Sequence, residues 1–252
     1  MSVAAVVVFT PGDPDPGPCL EALVPQAGET VLVANPPGPP PKVPAGVRIL
    51  WNEERLGFGA NINRGIAATG ADLVAVSNPD TRPAPDALAI LEEFAGSHPR
   101  CGIAGPQMFY SDATWQPTRR RFPTVSGTLV RRTPLRSLFP PLERQRAHYH
   151  LDERPTEPVE ADWLLGAFLL LRREMMEELE GFDEGFHLYG EDIDLAYRAA
   201  KAGWERWYVP AAHVTHDYAA AIDRVFFSRR TLWHLRSMAR FVRKHPERLR
   251  AL

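Results

Sequence analysis

Three carboxylates lie close together in the segment LYGEDIDLAYR, residues 188–198. Glu191, Asp192 and Asp194 follow a glycine and open a predicted helix. Acidic side chains in the first turn of a helix are stabilised by about 0.3–1 kcal/mol each, so an ordinary helix start is one interpretation. The chemical interpretation is a general base, because a junction between a loop and a helix holds a carboxylate rigidly and leaves one side open to a substrate.

A further acid follows a predicted buried strand. Residues 73–77 (LVAVS) form the strand pattern, and Asn78, Pro79 and Asp80 come directly after it. Ligand sites of open α/β sheets lie just beyond the carboxyl ends of parallel strands. Asn78 and Asp80 both offer oxygen atoms, which Mg²⁺ and Mn²⁺ accept as ligands. An ordinary N-P-D turn is the alternative.

Two histidines follow a predicted strand over residues 205–209 (ERWYV). His213 and His216 are three residues apart, and His216 comes 24 residues after Asp192. A single histidine is more often structural than a ligand, although imidazole is an accepted ligand of divalent metals. The residues alone therefore leave the role of both histidines open.

Glycine and arginine mark segments that could approach a phosphorylated ligand. Gly57 and Gly59 bracket Phe58, and glycine allows close approach of the backbone to a ligand, although an ordinary turn is equally consistent. Arg119 is the first of three consecutive arginines, which can pair with phosphate or form a solvated face.

Small residues also interrupt a bulky segment. Gly166 and Ala167 lie in the apolar run WLLGAFLLL, which begins at Trp163 and belongs to a predicted strand over residues 162–171. A break of this kind suits a substrate that passes close over the strand.

The elements that must position these residues follow an alternating pattern. Predicted strands alternate with amphipathic helices, which favours an α/β sheet. The predicted strands cover residues 3–9, 30–34, 47–51 and 73–77, residues 101–110 read as strand, turn and strand, and the predicted helices cover residues 61–70, 85–98 and 173–179. Residues 126–158 are irregular, and we interpret them as a loop over the site.

Composition excludes several classes of protein. The chain has 252 residues and a formal net charge of −2, so it does not have the basic character of a nucleic-acid binder. Cys19 and Cys101 have no metal spacing and are compatible with a reducing compartment. The apolar start MSVAAVVVF predicts a strand and not a signal peptide, and no run approaches the ~20 apolar residues of a membrane span. We therefore expect a cytoplasmic protein.

The last segment, residues 222–252, has a basic amphipathic pattern. Lys and Arg outnumber Asp and Glu there by nine to two. A helix of this kind can lie on an anionic membrane surface, or its apolar face can pack on the domain. Both interpretations remain open, and the first predicts peripheral contact with the inner face of the membrane.

In order, the motifs are NPD, W-x-x-G-A-x-x-x-x-R, G-F-D-E-x-F, G-E-D-x-D-L and a histidine. This order resembles the family 2 glycosyltransferases, in particular their rhamnosyltransferase-like branch, from about Leu56 to His216. The resemblance implies a GT-A fold: an α/β domain with a mostly parallel central sheet flanked by helices. It implies a donor half over about residues 1–110, an acceptor half over about residues 111–220, and the helical segment 221–252.

The resemblance also implies roles for the candidate residues. Asp192 would be the catalytic base with Glu191 beside it, and Asp80 and His216 would bind Mn²⁺ or Mg²⁺, with His213 in reserve. Two positions depart from the family pattern, because Asn78 replaces the first metal acid and Asn35 follows Ala34 where relatives carry an Asp that contacts the nucleobase. The implied donor-binding residues are Asn35, Gly57, Phe58, Asn61, Asn78, Asp80, Arg119, Trp163, Gly166 and Ala167.

The implied activity is inverting, metal-dependent transfer of a sugar, with rhamnose favoured by likeness. The donor would be a dTDP- or UDP-linked sugar, and the acceptor would be a hydroxyl group of a glycan or lipid-linked molecule in polysaccharide or cell-wall biosynthesis. The alternative is a non-catalytic module that binds a nucleotide sugar. The joint presence of Asp192, Asp80 and His216 favours the enzyme, because a binding module has no need of the base.

Overall fold

The computed structural model describes residues 1–122, 153–186, 189–217 and 229–250. The strands are β1 (Val3–Phe9), β2 (Glu29–Ala34), β3 (Val47–Trp51), β4 (Leu73–Ser77), β5 (Thr81–Pro83), β6 (Cys101–Phe109), β7 (Trp115–Gln116), β8 (Arg119–Arg120), β9 (Val159–Glu160), β10 (Trp163–Leu164), β11 (Phe168–Arg172) and β12 (Glu205–His216). The helices are α1 (Gly17–Leu23), α2 (Phe58–Ala67), α3 (Ala87–Ser97), α4 (Arg173–Glu178), α5 (Glu191–Lys201) and α6 (Arg229–Lys244), and a 3-10 helix follows at Pro246–Arg250.

The central sheet has the strand order β3-β2-β1-β4-β11-β6-β12-β5. Strands β3, β2, β1 and β4 are parallel, β11 runs antiparallel between β4 and β6, and β12 is parallel to β6. Strands β4, β6 and β12 therefore point the same way, so their carboxyl ends meet at one edge of the sheet. The predicted α/β architecture is confirmed.

Helices cover both faces of the sheet, which explains why the central strands are apolar without alternation. Helices α1 and α3 pack on one face through residues such as Leu20 and Leu91. Helices α2, α4 and α5 pack on the other face, and Phe241 of α6 joins the same cluster. The apolar side of α6 near its carboxyl end, at Met238 and Phe241, therefore packs on the domain.

Two adjacent arginines bind the carboxyl ends of α3 and α2, at the sheet edge opposite the carboxyl ends of β4, β6 and β12. Arg172 donates hydrogen bonds to the carbonyls of Ala95 and His98 at the end of α3. Arg173 donates to the carbonyls of Ile66 and Ala71, which lie at the end of α2 and just beyond it. Cations are favoured at helix carboxyl ends, so the arginine of the motif W-x-x-G-A-x-x-x-x-R has a structural role here.

The prediction of strand, turn and strand over residues 101–110 is wrong, because β6 is a single strand that contains Pro106. Proline cannot donate a ladder hydrogen bond. Pro106 pairs with Val209 of β12, and the register shifts directly after that pair, at an irregularity between Val209 and His213. The missing donor thus falls where the ladder is already interrupted.

Other boundaries also differ from the predictions. The predicted strand over residues 162–171 is divided into β10 and β11 by residues 165–167, and β12 continues seven residues past 209 to His216. Helix α2 begins at Phe58 and not at Asn61, and α6 ends at Lys244, two residues before Pro246. Most of the predicted loop over residues 126–158 lies outside the described residues.

Candidate active site

The carboxyl edge of the sheet gathers the predicted site residues. Strand β5 follows Asp80 and pairs with the end of β12, so that Thr81 lies opposite His216. Strand β11 begins at the same edge, where Phe168 lies opposite Ser77 and the Asn78 amide donates to the Ala167 carbonyl at 2.8 Å. The chain topology therefore brings together segments that are up to 138 residues apart in the sequence.

Asp80 and His216 contact each other at this edge. Their atoms Oδ1 and Nε2 are 3.3 Å apart, and both side chains are largely buried. Asp80 Oδ1 accepts no hydrogen bond from any residue within the described ranges. Two ligands that bind one cation at about 2.1 Å and at a right angle lie about 3.0 Å apart, so a pair with this separation fits a hard divalent metal after a small adjustment. No cluster of three His, Cys, Asp or Glu metal ligands occurs among the described residues.

Gln116 of β7 orients the imidazole of His216. Its Oε1 lies 3.0 Å from His216 Nδ1, and Gln116 is buried. Because a glutamine oxygen only accepts, Nδ1 carries the proton of this hydrogen bond, and Nε2 is the ring nitrogen that faces Asp80. His213 lies on the opposite face of β12, since an odd separation along a strand reverses the side-chain direction. It stacks edge-on against Phe109 instead.

The N-P-D turn is supported from below by small polar side chains. The carbonyl of Asn78 accepts hydrogen bonds from the hydroxyls of Ser77 and Thr81 at 3.1 and 3.0 Å. Cys19 of α1 contacts the same carbonyl at 3.4 Å, and burial raises the pKa of its thiol. The turn is thus fixed by its backbone, and the Asn78 side chain takes no part in this network.

Asp192 lies in the first turn of α5 against the break between β10 and β11. Its Oδ2 accepts a hydrogen bond from the Gly166 amide at 3.1 Å, and its Oδ1 accepts one from Ile193 at 2.9 Å. A Cβ at Gly166 would lie 3.2 Å from this carboxyl group, which explains the small residue there. Burial raises the pKa of Asp192, and these hydrogen bonds and the positive charge of Arg120 offset part of the shift.

Glu191 lies beside Asp192 and is almost fully buried. Burial raises its pKa, and the neighbouring Asp192 carboxylate raises it further. Its Oε2 accepts no hydrogen bond from the part of the chain that the structure describes. The adjacent carboxyl groups of buried Glu191 and partly buried Asp192 favour retention of one proton, because both cannot ionise without strong repulsion.

Arg119 and Trp163 lie in the small sheet formed by β8 and β10. Leu164 is opposite Arg119 in this sheet. The guanidinium of Arg119 forms an ion pair with Glu153, and the indole N–H of Trp163 donates to the Arg121 carbonyl at 2.8 Å. Both side chains thus also hold the segment next to Gly166 and Ala167 in place.

Asn35 and Asn61 belong to a buried asparagine cluster below the loop that carries Gly57. The Oδ1 of Asn35 accepts from Asn52 and from the Leu56 amide, and its Nδ2 donates to Thr10 and to the Leu56 carbonyl. Asn61 donates to the Gly57 carbonyl at 2.8 Å. These amide groups therefore support the shape of the loop from inside, while Gly57 and Phe58 are partly exposed above them.

Asn63 is a functional candidate that the sequence analysis missed. Its Oδ1 accepts from the Phe182 amide at 2.8 Å and its Nδ2 donates to the Phe182 carbonyl at 2.9 Å, so it holds the backbone as a neighbouring strand would. A Cβ on Gly59 would lie 2.9 Å from Phe182. The segment over residues 56–65 reads L-G-F-G-A-N-I-N-R-G, so Asn63 was visible as a second asparagine beside Asn61.

Comparison with known proteins places this geometry in a family. The profile described as "Glycosyltransferase like family 2" matches residues 40–240. The N-acetylglucosaminyl-diphospho-decaprenol L-rhamnosyltransferase of Mycobacterium tuberculosis is 33% identical over 197 residues, which cover 71% of this chain and 61% of that protein. The rhamnosyltransferase WbbL of Escherichia coli K12 is 44% identical over 81 residues, or 32% of this chain and 30% of that protein.

A solved structure shares the fold. GalNAc-T7, crystallised with UDP, GalNAc and Mn²⁺, superposes with a TM-score of 0.64 at 15% identity, covering 96% of this chain and 48% of that chain. The predicted GT-A architecture is confirmed by this likeness. The present chain spans about three fifths of the length of the mycobacterial relative. With a family profile that matches most of its residues and a relative at 33% identity, the chain belongs to glycosyltransferase family 2.

Proposed function

We propose that this chain transfers a sugar from a nucleotide-diphosphate donor to a hydroxyl group, with inversion at the anomeric carbon. The observation that carries the proposal is the position of Asp192. Its partly buried carboxyl group is held by the Gly166 amide at the edge of the sheet where Asp80 and His216 also lie. Direct displacement requires one base, which Asp192 supplies, whereas a double displacement would require a second carboxylate as nucleophile.

In the proposed reaction Asp192 accepts the proton of the attacking hydroxyl group. Its raised pKa makes it a stronger base than an exposed aspartate, and the Gly166 and Ile193 amides fix the direction of its oxygens. Glu191 shapes the turn and adds a carboxyl group that shares the titration of the pair. The ionised form of Asp192 is the active form.

Asp80 and His216 would hold a divalent cation, Mn²⁺ or Mg²⁺. The separation of 3.3 Å between their ligand atoms and the tautomer set by Gln116 fit such an ion. When bound, the cation would neutralise charge on the departing diphosphate. Asn78 offers a further oxygen atom beside them, and oxygens of the donor or water would complete the coordination.

The relatives suggest the substrates. The names of two rhamnosyltransferases among them make rhamnose the first candidate for the transferred sugar. We propose a dTDP- or UDP-linked donor for it. The name of the mycobacterial relative suggests a lipid-linked acceptor with a diphosphate. We assign donor contact to the half over about residues 1–110, with Asn35 and Asn61 shaping its loop and Gly57 and Phe58 facing the ligand. The donor site would be lined on the side that faces the acceptor by Arg119, Trp163, Gly166 and Ala167.

We also propose that residues 222–252 contact the inner face of a membrane, where a lipid-linked acceptor would lie. No helix among the described residues is long and apolar enough to cross a bilayer. Arg236 and Arg243 of α6 are exposed and can meet anionic lipid. Binding to vesicles of phosphatidylglycerol that is lost in Arg236→Ser/Arg243→Ser would support this contact, and unchanged binding would contradict it.

Substitution of the base tests the proposed reaction directly. We expect Asp192→Asn to lower kcat by about 10²–10⁴, because a positioned general base contributes this much, and to leave nucleotide affinity unchanged. The measurement is release of dTDP or UDP from a panel that includes dTDP-rhamnose, with a polyprenyl-diphosphate N-acetylglucosamine acceptor and Mn²⁺. The matched control is Asp86→Asn, at an exposed residue immediately before α3. A fully active Asp192→Asn would exclude Asp192 as the base.

A further inference from the structure

The end of α6 packs directly on the loop that leads into the catalytic helix. We call the five residues of this contact the C-terminal clamp, and they are Ser237, Arg240, Phe241, Lys244 and His245. Phe241, Ser237 and His245 are buried. The loop runs from Gly181 to Gly190, and its residues 187 and 188 lie outside the described ranges. Asp192 follows two residues after its end. Arg240 and Lys244 contact this loop, and His245 contacts α5.

Two glycines of the loop leave the space that the C-terminal clamp occupies. A Cβ on Gly185 would lie 2.0 Å from the Arg240 guanidinium, and a Cβ on Gly190 would lie 3.4 Å from Ser237 Cβ. Gly190 also has φ +91°, which favours glycine, and it is the residue immediately before α5. The glycines of G-F-D-E-G-F-H-L-Y-G therefore let α6 approach the backbone of the loop.

Asp183 of the loop pairs with the clamp on both of its oxygens. Arg240 Nη2 lies 2.7 Å from Oδ1, and Lys244 Nζ lies 2.8 Å from Oδ2. Burial opposes ionisation of Asp183, but the hydrogen bonds from Arg240 and Lys244 outweigh it and lower its pKa. The guanidinium of Arg240 also lies 5.3 Å from the centre of the Phe186 ring. The loop and α6 are thus joined by charge as well as by shape.

Asp194 of α5 is the second anchor, and its side chain is fully buried. It accepts hydrogen bonds from Lys244 Nζ at 2.9 Å and His245 Nε2 at 2.8 Å. Arg198, one turn further along α5, donates to Asp194 at 2.7 Å and to the Leu179 and Gly181 carbonyls at 2.7 Å. Lys244 therefore bridges the loop and α5, on either side of Asp192.

We infer that the C-terminal clamp is a positioning element for Asp192, and this inference rests on the proposed function. Asn63 and Arg198 hold the start of the loop. The clamp adds contacts to the rest of the loop through Asp183 and to the first turn of α5 through Asp194. An error of about 1 Å in the placement of a reacting group can cost on the order of 10²-fold in rate. Arg240 and Lys244 are therefore used for internal ion pairs, whereas Arg236 and Arg243 stay exposed.

The test compares Lys244→Met and Arg240→Met with Lys42→Met, which removes an exposed cation from the loop between β2 and β3. We expect kcat to fall by about tenfold or more in the first two variants with an unchanged donor KM, and Lys42→Met to match the parent. Lys244→Arg should recover most of the rate because it keeps the cation. Amide hydrogen exchange over residues 182–195 should become faster only in the variants that lose the rate.

A second variant reaches the same contact from the opposite side. Gly185→Ala should displace the Arg240 guanidinium, so it should reproduce Arg240→Met, and the double variant should be no worse than either single one. This variant keeps the test decisive if loss of a cation unfolds the protein. Parent-like kcat and exchange in Lys244→Met, Arg240→Met and Gly185→Ala would overturn the inference. If the parent transfers no sugar, the proposed function fails, and the exchange measurement still decides the clamp.

Discussion

Glu191 and Asp192 are neighbouring carboxyl groups in one buried turn, and their protonation depends on each other. Burial raises the pKa of both. The folded protein therefore binds more protons than the unfolded chain above the ordinary pKa of a glutamate, near 4.5. By linkage, the free energy of unfolding must fall as the pH rises from that value through the raised pKa values. This turn therefore contributes least to the free energy of unfolding at pH values where both carboxyl groups are ionised.

This argument predicts the effect of Glu191→Gln on stability. The variant cannot ionise at this position, so its free energy of unfolding should fall less between pH 5 and pH 8 than that of the parent. Urea unfolding at several pH values in this range measures the difference. The exposed Glu93→Gln on α3 should behave as the parent does. Parallel curves for Glu191→Gln and the parent would show that Glu191 is not held protonated.

The asparagines show why residue type alone did not distinguish side chains that could contact a ligand from side chains that stabilise a loop. Asn35 and Asn61 have the chemistry of a ligand contact, but their amides bond to the loop from below. Asn63 is two residues from Asn61 and faces the loop at Phe182 instead. The direction of each side chain follows from its place on α2 and from the neighbouring loop, and neither is visible in the local sequence.

At the scale of elements, α2 lies very close to the sheet because Gly65 has no side chain at the contact. A Cβ on Gly65 would lie 2.3 Å from Val6 Cγ1 of β1 and 3.2 Å from Val33 Cγ2 of β2, and both valines are fully buried. Val6 and Val33 cannot move aside without disturbing the central strands. The close approach of α2 determines where the Gly57 loop begins and where Asn63 meets Phe182.

Gly65→Ala should therefore destabilise the protein by about 1–3 kcal/mol, because overpacking outweighs the better helix propensity of alanine. Gly96→Ala in α3 is the matched control, because its Cβ would meet only Met1 Cε within 4 Å, at 3.5 Å. We expect this control to gain about 0.5–1 kcal/mol from helix propensity. Unfolding midpoints in urea measure both changes. A neutral or stabilising Gly65→Ala would mean that α2 does not pack this closely.

For the molecule as a whole, the proposed ligand site at the carboxyl edge of the sheet combines segments that are far apart in the chain. Asp80 follows β4 and His216 ends β12, and the two atoms that face each other are 3.3 Å apart. If a nucleotide diphosphate and a cation bind there together, each should bind weakly without the other. The net charge of the protein is close to zero, so general electrostatic attraction does not account for such coupling.

Thermal unfolding with nucleotides measures this coupling. We expect one of UDP, dTDP, GDP and CDP to raise Tm by several degrees in Mn²⁺, since a ligand at ~100 times its Kd stabilises by about 2.7 kcal/mol. The shift should largely disappear with EDTA, and in His216→Leu or Asp80→Asn. The exposed His213→Leu on the same strand should keep it. A shift of equal size in EDTA would contradict the metal site at Asp80 and His216.

The sequence by itself determined the fold class, the family and the order of the site segments. Runs such as residues 3–9 and 73–77 are apolar because both faces of a central strand are covered, and this pattern is local. The acids of G-E-D-x-D-L and N-P-D were visible because they directly follow strong turn signals. The break in residues 162–171 was visible as Gly166 and Ala167, although the sequence analysis extended one strand through it.

Only the tertiary structure decided which polar groups meet. Asp80 and His216 meet because β5 folds back onto the end of β12, and His213 is excluded by the direction of its side chain on that strand. The basic pattern of the C-terminal segment was compatible with membrane contact. In the structure, Arg240 pairs with Asp183, and Lys244 pairs with Asp194. Such pairs join residues 50 or more positions apart. Their contact depends on how helices and strands pack, and no local pattern records it.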